Sequence, residues 1–156
     1  MDVVVMALLG WLNLTADLPE VDNLEDYFAP GITTVETAAG DDMLKLFRQN
    51  REYVAFEEIP DLIIHAIISA EDKRFYEHEG VDYAAFTRAM IQNVYRAGSG
   101  GRLLGASTVT QQLAKRQYTD SSRTARRKVR EAILAMRIED TLSKERIMEL
   151  YLNDLY

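Results

Sequence analysis

"AIISAEDKRFYEHEG", residues 66–80, ends a run of isoleucines with an acidic pair, Glu71-Asp72. Reading back from that pair gives the local structure. At 100° per residue, Ile63, Ile64, Ile67, Ile68 and Phe75 share an arc of about 140°, which predicts an amphipathic helix from Asp61. Pro60 suits its first turn, and Gly80 suits its stop. Glu71 falls near the middle of the apolar arc and Asp72 beyond its edge. Partial desolvation is the condition under which a carboxylate becomes an effective base near neutral pH. A helix-end carboxylate can equally reach water or pair with Lys73 or Arg74, so spacing alone leaves both readings open.

Helical signals dominate the chain downstream. A second helix is predicted over Tyr83–Tyr95, followed by a four-glycine loop in "RAGSGGRLLGAST" (96–108). Helices resume in "STVTQQLAKRQY" (107–118), "SRTARRKVREAILAMRIEDTL" (122–142) and "SKERIMELYLNDLY" (143–156), with Ser107 and Ser143 as N-cap residues. Upstream, residues 17–40 contain Pro, Gly and β-branched residues without a helical period. They read as an extended segment with a short strand at Thr33–Glu36, and "REYVAFEEIP" (51–60) can hold a second strand. The fold class is mainly α. The expected organisation is 1–16, 17–59 as an extended leading segment, and a helical domain over 60–156.

The 156 residues suffice for one domain with a real core, and 47% apolar with 28% charged residues is a globular composition. With no cysteine, disulfide frameworks and thiolate metal sites are excluded, while the compartment stays open. "MDVVVMALLGWLNLT" (1–15) carries an apolar run about half the roughly 20 residues needed to span a bilayer. It fits either a buried or frayed terminal segment or the remnant of a membrane anchor.

Charge is distributed unevenly. Lys115, Arg116, Arg123, Arg126, Arg127, Lys128 and Arg130 face only Asp120 within residues 115–130, a local +6 in a chain of net −7, so the remainder carries −13. One cationic segment on an acidic protein indicates a local anionic ligand and argues against nucleic acid. Arg123, Arg127 and Glu131 follow one another at i, i+4, i+8 on a helix face. Composition alone fits phosphate binding and a solvated face equally. In "GASTVTQQLAK" (105–115), small residues at a helix start can offer N–H groups to an anion. The amides of Gln111 and Gln112 both donate and accept, as sugar hydroxyls require.

Together these segments resemble the family 51 glycosyltransferases, the peptidoglycan polymerase modules of class A penicillin-binding proteins. "EDKRFYEHEG" resembles their E-D-x-x-F-x-x-H-x-G signature, and "GASTVTQQLAK" their G-x-S-T-x-x-Q-Q-x-x-K motif. "RKVRE" (127–131) resembles R-K-x-x-E, and "KERIMELYLN" (144–153) resembles K-x-x-I-x-E-x-Y-L-N. The motifs occur in the family's order, and "LPEVDNLEDYFAPGITT" (18–34) extends the likeness upstream. The resemblance implies a lysozyme-like helical fold that polymerises lipid II into β-1,4-linked glycan, with inversion and release of undecaprenyl diphosphate. It implies Glu71 as catalytic base and Glu131 as the second glutamate. Lys115 and Arg123 fall at pyrophosphate-binding positions, with Arg127 and Lys128 nearby. Ser107, Thr108, Gln111 and Gln112 match cleft residues, while Phe75, His78 and Gly80 hold the first motif in shape. Arg116 stands where the family commonly has Asn.

The implied setting is the outer, periplasmic face of a bacterial inner membrane. Partners there are the growing glycan strand, the membrane surface and other cell-wall synthesis proteins. No cofactor is required, although a divalent cation such as Mg2+ can accompany a pyrophosphate. Two other readings stay open: a lysozyme-like hydrolase using Glu71 as general acid, and an inactive truncated module that binds glycan or a partner. The family usually continues past "YLN". Ile147, Met148, Leu150, Tyr151, Leu152, Leu155 and Tyr156 on the last helix therefore predict exposed apolar surface, poor stability and little activity for the chain as it stands.

Overall fold

A computed structural model of the chain describes residues 3–24, 26–27, 33–46, 52–97, 104–119 and 124–155. Among them are six α-helices and one two-stranded sheet. In chain order they are α1 (Val3–Thr15), β1 (Thr33–Glu36), β2 (Asp42–Leu46), α2 (Asp61–Glu71), α3 (Tyr83–Ala97), α4 (Val109–Tyr118), α5 (Ala125–Thr141) and α6 (Lys144–Asp154). The class is mainly α, as the periodicity predicts.

The core forms around α4, whose Val109, Thr110, Leu113 and Ala114 are fully buried. Helices α5 and α6 pack against it, contributing Leu134, Ile138, Ile147 and Met148. Caps set the helix starts. Ser143 caps α6 by accepting from the Arg146 N–H, as predicted, and Thr124 does the same for α5 with the Arg127 N–H. At α4 the cap is Thr108, one residue beyond the expected Ser107. Thr108 and Gln111 form a reciprocal capping box there, and Ser107 is left outside the helix.

The expected strand at Thr33–Glu36 is present, but its partner is β2 rather than any part of residues 51–60. The hairpin is antiparallel, pairing Val35 with Leu44, with an irregularity between Val35 and Glu36. Thr37 closes its turn: the Thr37 hydroxyl accepts from the Ala39 and Asp41 N–H groups, and Gly40 takes φ +89°. Residues 56–58 form a 3-10 turn instead. The backbone just before that turn is held by Asn153, whose side-chain amide exchanges two hydrogen bonds with the Val54 backbone, each 2.9 Å.

The last helix is better covered than its composition predicts. Ile147, Met148, Leu150 and Tyr151 are all at most 2% exposed, and Leu152 and Leu155 are half-buried against the same core. Their cover comes from α4, α5 and the 56–58 turn. Tyr156 lies outside the described residues. At the other end, α1 leaves Val4, Met6, Trp11 and Leu12 more than half exposed. It is tied to α5 by Arg126 and Arg130, which donate to the Asn13 and Asp17 carbonyls at 3.1 and 2.6 Å. No helix among the described residues is long and apolar enough to cross a membrane.

Candidate active site

The first motif folds differently from its helical projection. Helix α2 ends at Glu71, and Asp72 leaves helical geometry at φ −155°, ψ 78°. That turn inverts the expected burial of the acidic pair. Asp72 is 5% exposed, while Glu71 stands in the open and the isoleucine wall does not cover it. Ile63 is itself 47% exposed. The desolvation argument for Glu71 therefore fails, and what remains is its position.

Asp72 joins three parts of the fold. Its two carboxylate oxygens lie 3.0 and 2.9 Å from Nε2 of buried His78, and Oδ2 accepts from the Val109 N–H at 3.0 Å. The second contact places a carboxylate at the N-terminus of α4, where helix N–H groups are unpaired and the dipole favours a negative charge. Phe75 is fully buried, with the Lys144 ammonium 4.6 Å from its ring centroid. Gly80, at φ +86°, lies so close to α5 that a Cβ would meet the Ala135 carbonyl group at 2.7 Å. The three motif residues expected to hold the turn in shape thus sit in its packed interior.

Helix α4 brings the remaining groups together. Gln112 donates from Nε2 to Oε2 of Glu71 at 2.8 Å. Thr108 is 2% exposed, and its hydroxyl is engaged internally, donating to the Gly80 carbonyl at 2.6 Å and accepting from the Gln111 N–H. Gln111 is 5% exposed and returns the capping contact through Oε1. Ser107, free of the helix, accepts from Lys128 Nζ at 2.8 Å. Lys128 also reaches Oε2 of Glu131 at 3.0 Å, and Arg127 lies 3.1 Å from Oε1 of the same carboxylate. Glu131 is 1% exposed, so this buried anion is held between two cations.

Ser107, Gln111 and Lys128 line one side of a cavity of about 790 Å³ whose other walls are largely apolar, among them Phe86, Met90 and Val94 of α3. A groove that is greasy along its length and carries an ammonium in its lining suits an amphiphile with an anionic head. Lys115 is exposed, and among the described residues no ion pair involves it. Arg123 lies outside the described residues. Arg116, the departure from the motif, donates to the Asp154 carbonyl at the end of α6 at 2.7 Å. Among the described residues no group of three His, Asp or Glu could hold a metal ion. With Glu131 already paired, the donors present among the described residues do not suit a protein-bound Mg2+.

Sequence reasoning gave Tyr151 and Asp72 no role in the site. Tyr151 is 2% exposed and its hydroxyl reaches Gln112 Oε1 at 3.3 Å, a contact across 39 positions that no local pattern reveals. A carboxylate beside a helix end was visible at Asp72, but its partner helix was not.

An open carboxylate, two cations paired with a buried second glutamate, and an apolar groove are gathered around helix α4 of this helical domain. Residues 39–156 match the transglycosylase family, and the chain belongs to it. The chain is 42% identical over 139 residues to penicillin-binding protein 1A of Neisseria cinerea, covering 89% of this chain and 17% of that protein. It is 43% identical over 150 residues to penicillin-binding protein 1A of Aquifex aeolicus, covering 96% of this chain and 20% of that one. The chain therefore spans about a fifth of the length of these curated relatives.

Proposed function

We propose that the chain is a peptidoglycan glycosyltransferase module that polymerises lipid II into β-1,4-linked glycan strands at the outer face of a bacterial cytoplasmic membrane. The observation that carries this reading is the pairing of accessible Glu71 with the Lys128-lined apolar groove through one helix, α4. The 4-hydroxyl of the incoming sugar gives its proton to Glu71 as its oxygen bonds to C1 of the growing strand's terminal sugar. The bond from C1 to the diphosphate breaks with inversion, and the electron pair leaves with the diphosphate. Cations stabilise that leaving group, so no general acid is needed. Lys115 and Arg123 provide the clamp, with Lys128 and Arg127 at its edge. Glu131 keeps the latter two in place. The prenyl chain occupies the groove between α3 and α5.

The test is polymerisation of labelled lipid II by Glu71→Gln. Loss of a general base should lower turnover by about 10²–10⁴-fold while the unfolding temperature stays put. Near-normal turnover in that variant would overturn the assignment.

A further inference from the structure

We propose that Tyr151 is a positioning residue for Glu71, acting through the side-chain amide of Gln112. This rests on the reading of Glu71 as base. Glu71 is the last residue of α2, with no further helical turn beside it, so its flexible side chain needs an external hold. Gln112 supplies one by donating from Nε2 to Oε2 at 2.8 Å. An amide can hold a carboxylate only in one orientation, because its carbonyl end would repel the charge. Tyr151 sets that orientation: its hydroxyl donates to Gln112 Oε1 at 3.3 Å, keeping the carbonyl toward α6 and the NH2 toward Glu71. Burial first, and the charge of Glu71 second, hold the Tyr151 hydroxyl above its ordinary pKa against the opposing pull of Arg116, so it stays a donor at working pH.

The consequence is a choice between two chemically equivalent oxygens. Oε2 is occupied by Gln112, and no second hydrogen bond to the Glu71 carboxylate is made among the described residues. Oε1 is then the atom that takes the proton from the acceptor's 4-hydroxyl. The proton moves from that oxygen to Oε1 as the oxygen's electron pair forms the bond to C1. Gln112 is thereby assigned to the base rather than to a sugar hydroxyl.

Two measurements test this. The first is kcat and KM for lipid II polymerisation by Tyr151→Phe, Gln112→Ala and the double variant, with thermal unfolding as the control for folding. Loss of one neutral hydrogen bond should lower kcat about three- to tenfold in Tyr151→Phe with KM nearly unchanged. The double variant should be no slower than Gln112→Ala, since the tyrosine acts only through the amide. Unchanged kcat in Tyr151→Phe, or losses that multiply in the double variant, would overturn the proposal. The second measurement needs no turnover. The NMR resonances of the Gln112 side-chain NH2 should move in both Tyr151→Phe and Glu71→Gln, and a signal unmoved in Tyr151→Phe would overturn the relay. Active Glu71→Gln would instead sink the base reading, and the NH2 resonances would still report whether Tyr151 orients the amide.

Discussion

Replacing Gly80 with alanine tests whether the first motif and α5 are held at the separation the site requires. The added Cβ would fall 2.7 Å from both the carbonyl carbon and oxygen of Ala135 and 2.9 Å from the Met136 nitrogen. These are backbone atoms of a packed helix and cannot rotate away. Gly80 also holds φ +86°, where an L side chain costs about 1–2 kcal/mol. Overpacking against a rigid neighbour adds about 1–3 kcal/mol. The expected loss is about 2–5 kcal/mol, a substantial part of the 5–15 kcal/mol that keeps a domain folded. For a chain of this size that corresponds to a fall in Tm of roughly 5–20 °C. Relief by moving α5 would also displace Glu131, one helical turn from Ala135, and the Gly80 carbonyl that anchors Thr108 at 2.6 Å. Turnover should therefore drop even at temperatures where the variant is fully folded. Urea and thermal unfolding, with lipid II turnover at 15 °C, measure both effects. A stability within 0.5 kcal/mol of wild type, or full turnover, would refute the close-approach argument.

Three further outcomes are expected. Lys115→Ala should slow lipid II transfer about tenfold or more, the scale of a charged hydrogen bond, whereas Arg126→Ala, which serves the α1 carbonyls, should change it less than about threefold. Thr124→Ala should cost about 1 kcal/mol in urea unfolding, because the Arg127 N–H loses its 3.2 Å cap. The hydroxyls of Tyr53, Tyr76 and Tyr151 are each held above the ordinary 10.0, with burial as the largest cause. Their contribution to stability is complete below about pH 10 and is lost as pH rises through the higher folded values. The urea midpoint should thus fall as pH rises above about 10, less steeply in Tyr151→Phe.

Helices were legible because their signals are local. The isoleucine spacing located α2, and Ser143 marked the start of α6. The same logic misplaced the acidic pair: the arc that carries Glu71 is only partly covered, and Asp72, one residue past the end of α2, turns inward. Strand β2 escaped because five residues with apolar Met43, Leu44 and Leu46 carry little periodic information. Among the described residues, α6 exposes less apolar surface than expected because it packs on α4, α5 and the 56–58 turn, contacts that composition does not encode. Gln112 reads from sequence as a cleft residue, and its contacts with Glu71 and Tyr151, 41 and 39 positions away, are beyond any local pattern.

Among the described residues, much of the cationic segment's hydrogen-bonding capacity is engaged within the protein. Arg116, Arg126 and Arg130 spend their guanidinium groups on carbonyls at or just beyond the C-terminal ends of α6 and α1, where helix dipoles favour positive charge. Arg127 and Lys128 are shared with Glu131. A bare anion arriving from solution finds a shallow electrostatic well, readily flattened by salt, and gains little by staying. Only a ligand whose hydrocarbon fills the neighbouring groove adds a second, salt-insensitive source of affinity. Selectivity for lipid-linked over free diphosphate would then follow from how sparingly the protein leaves its cations unspoken for, and it should widen as ionic strength rises.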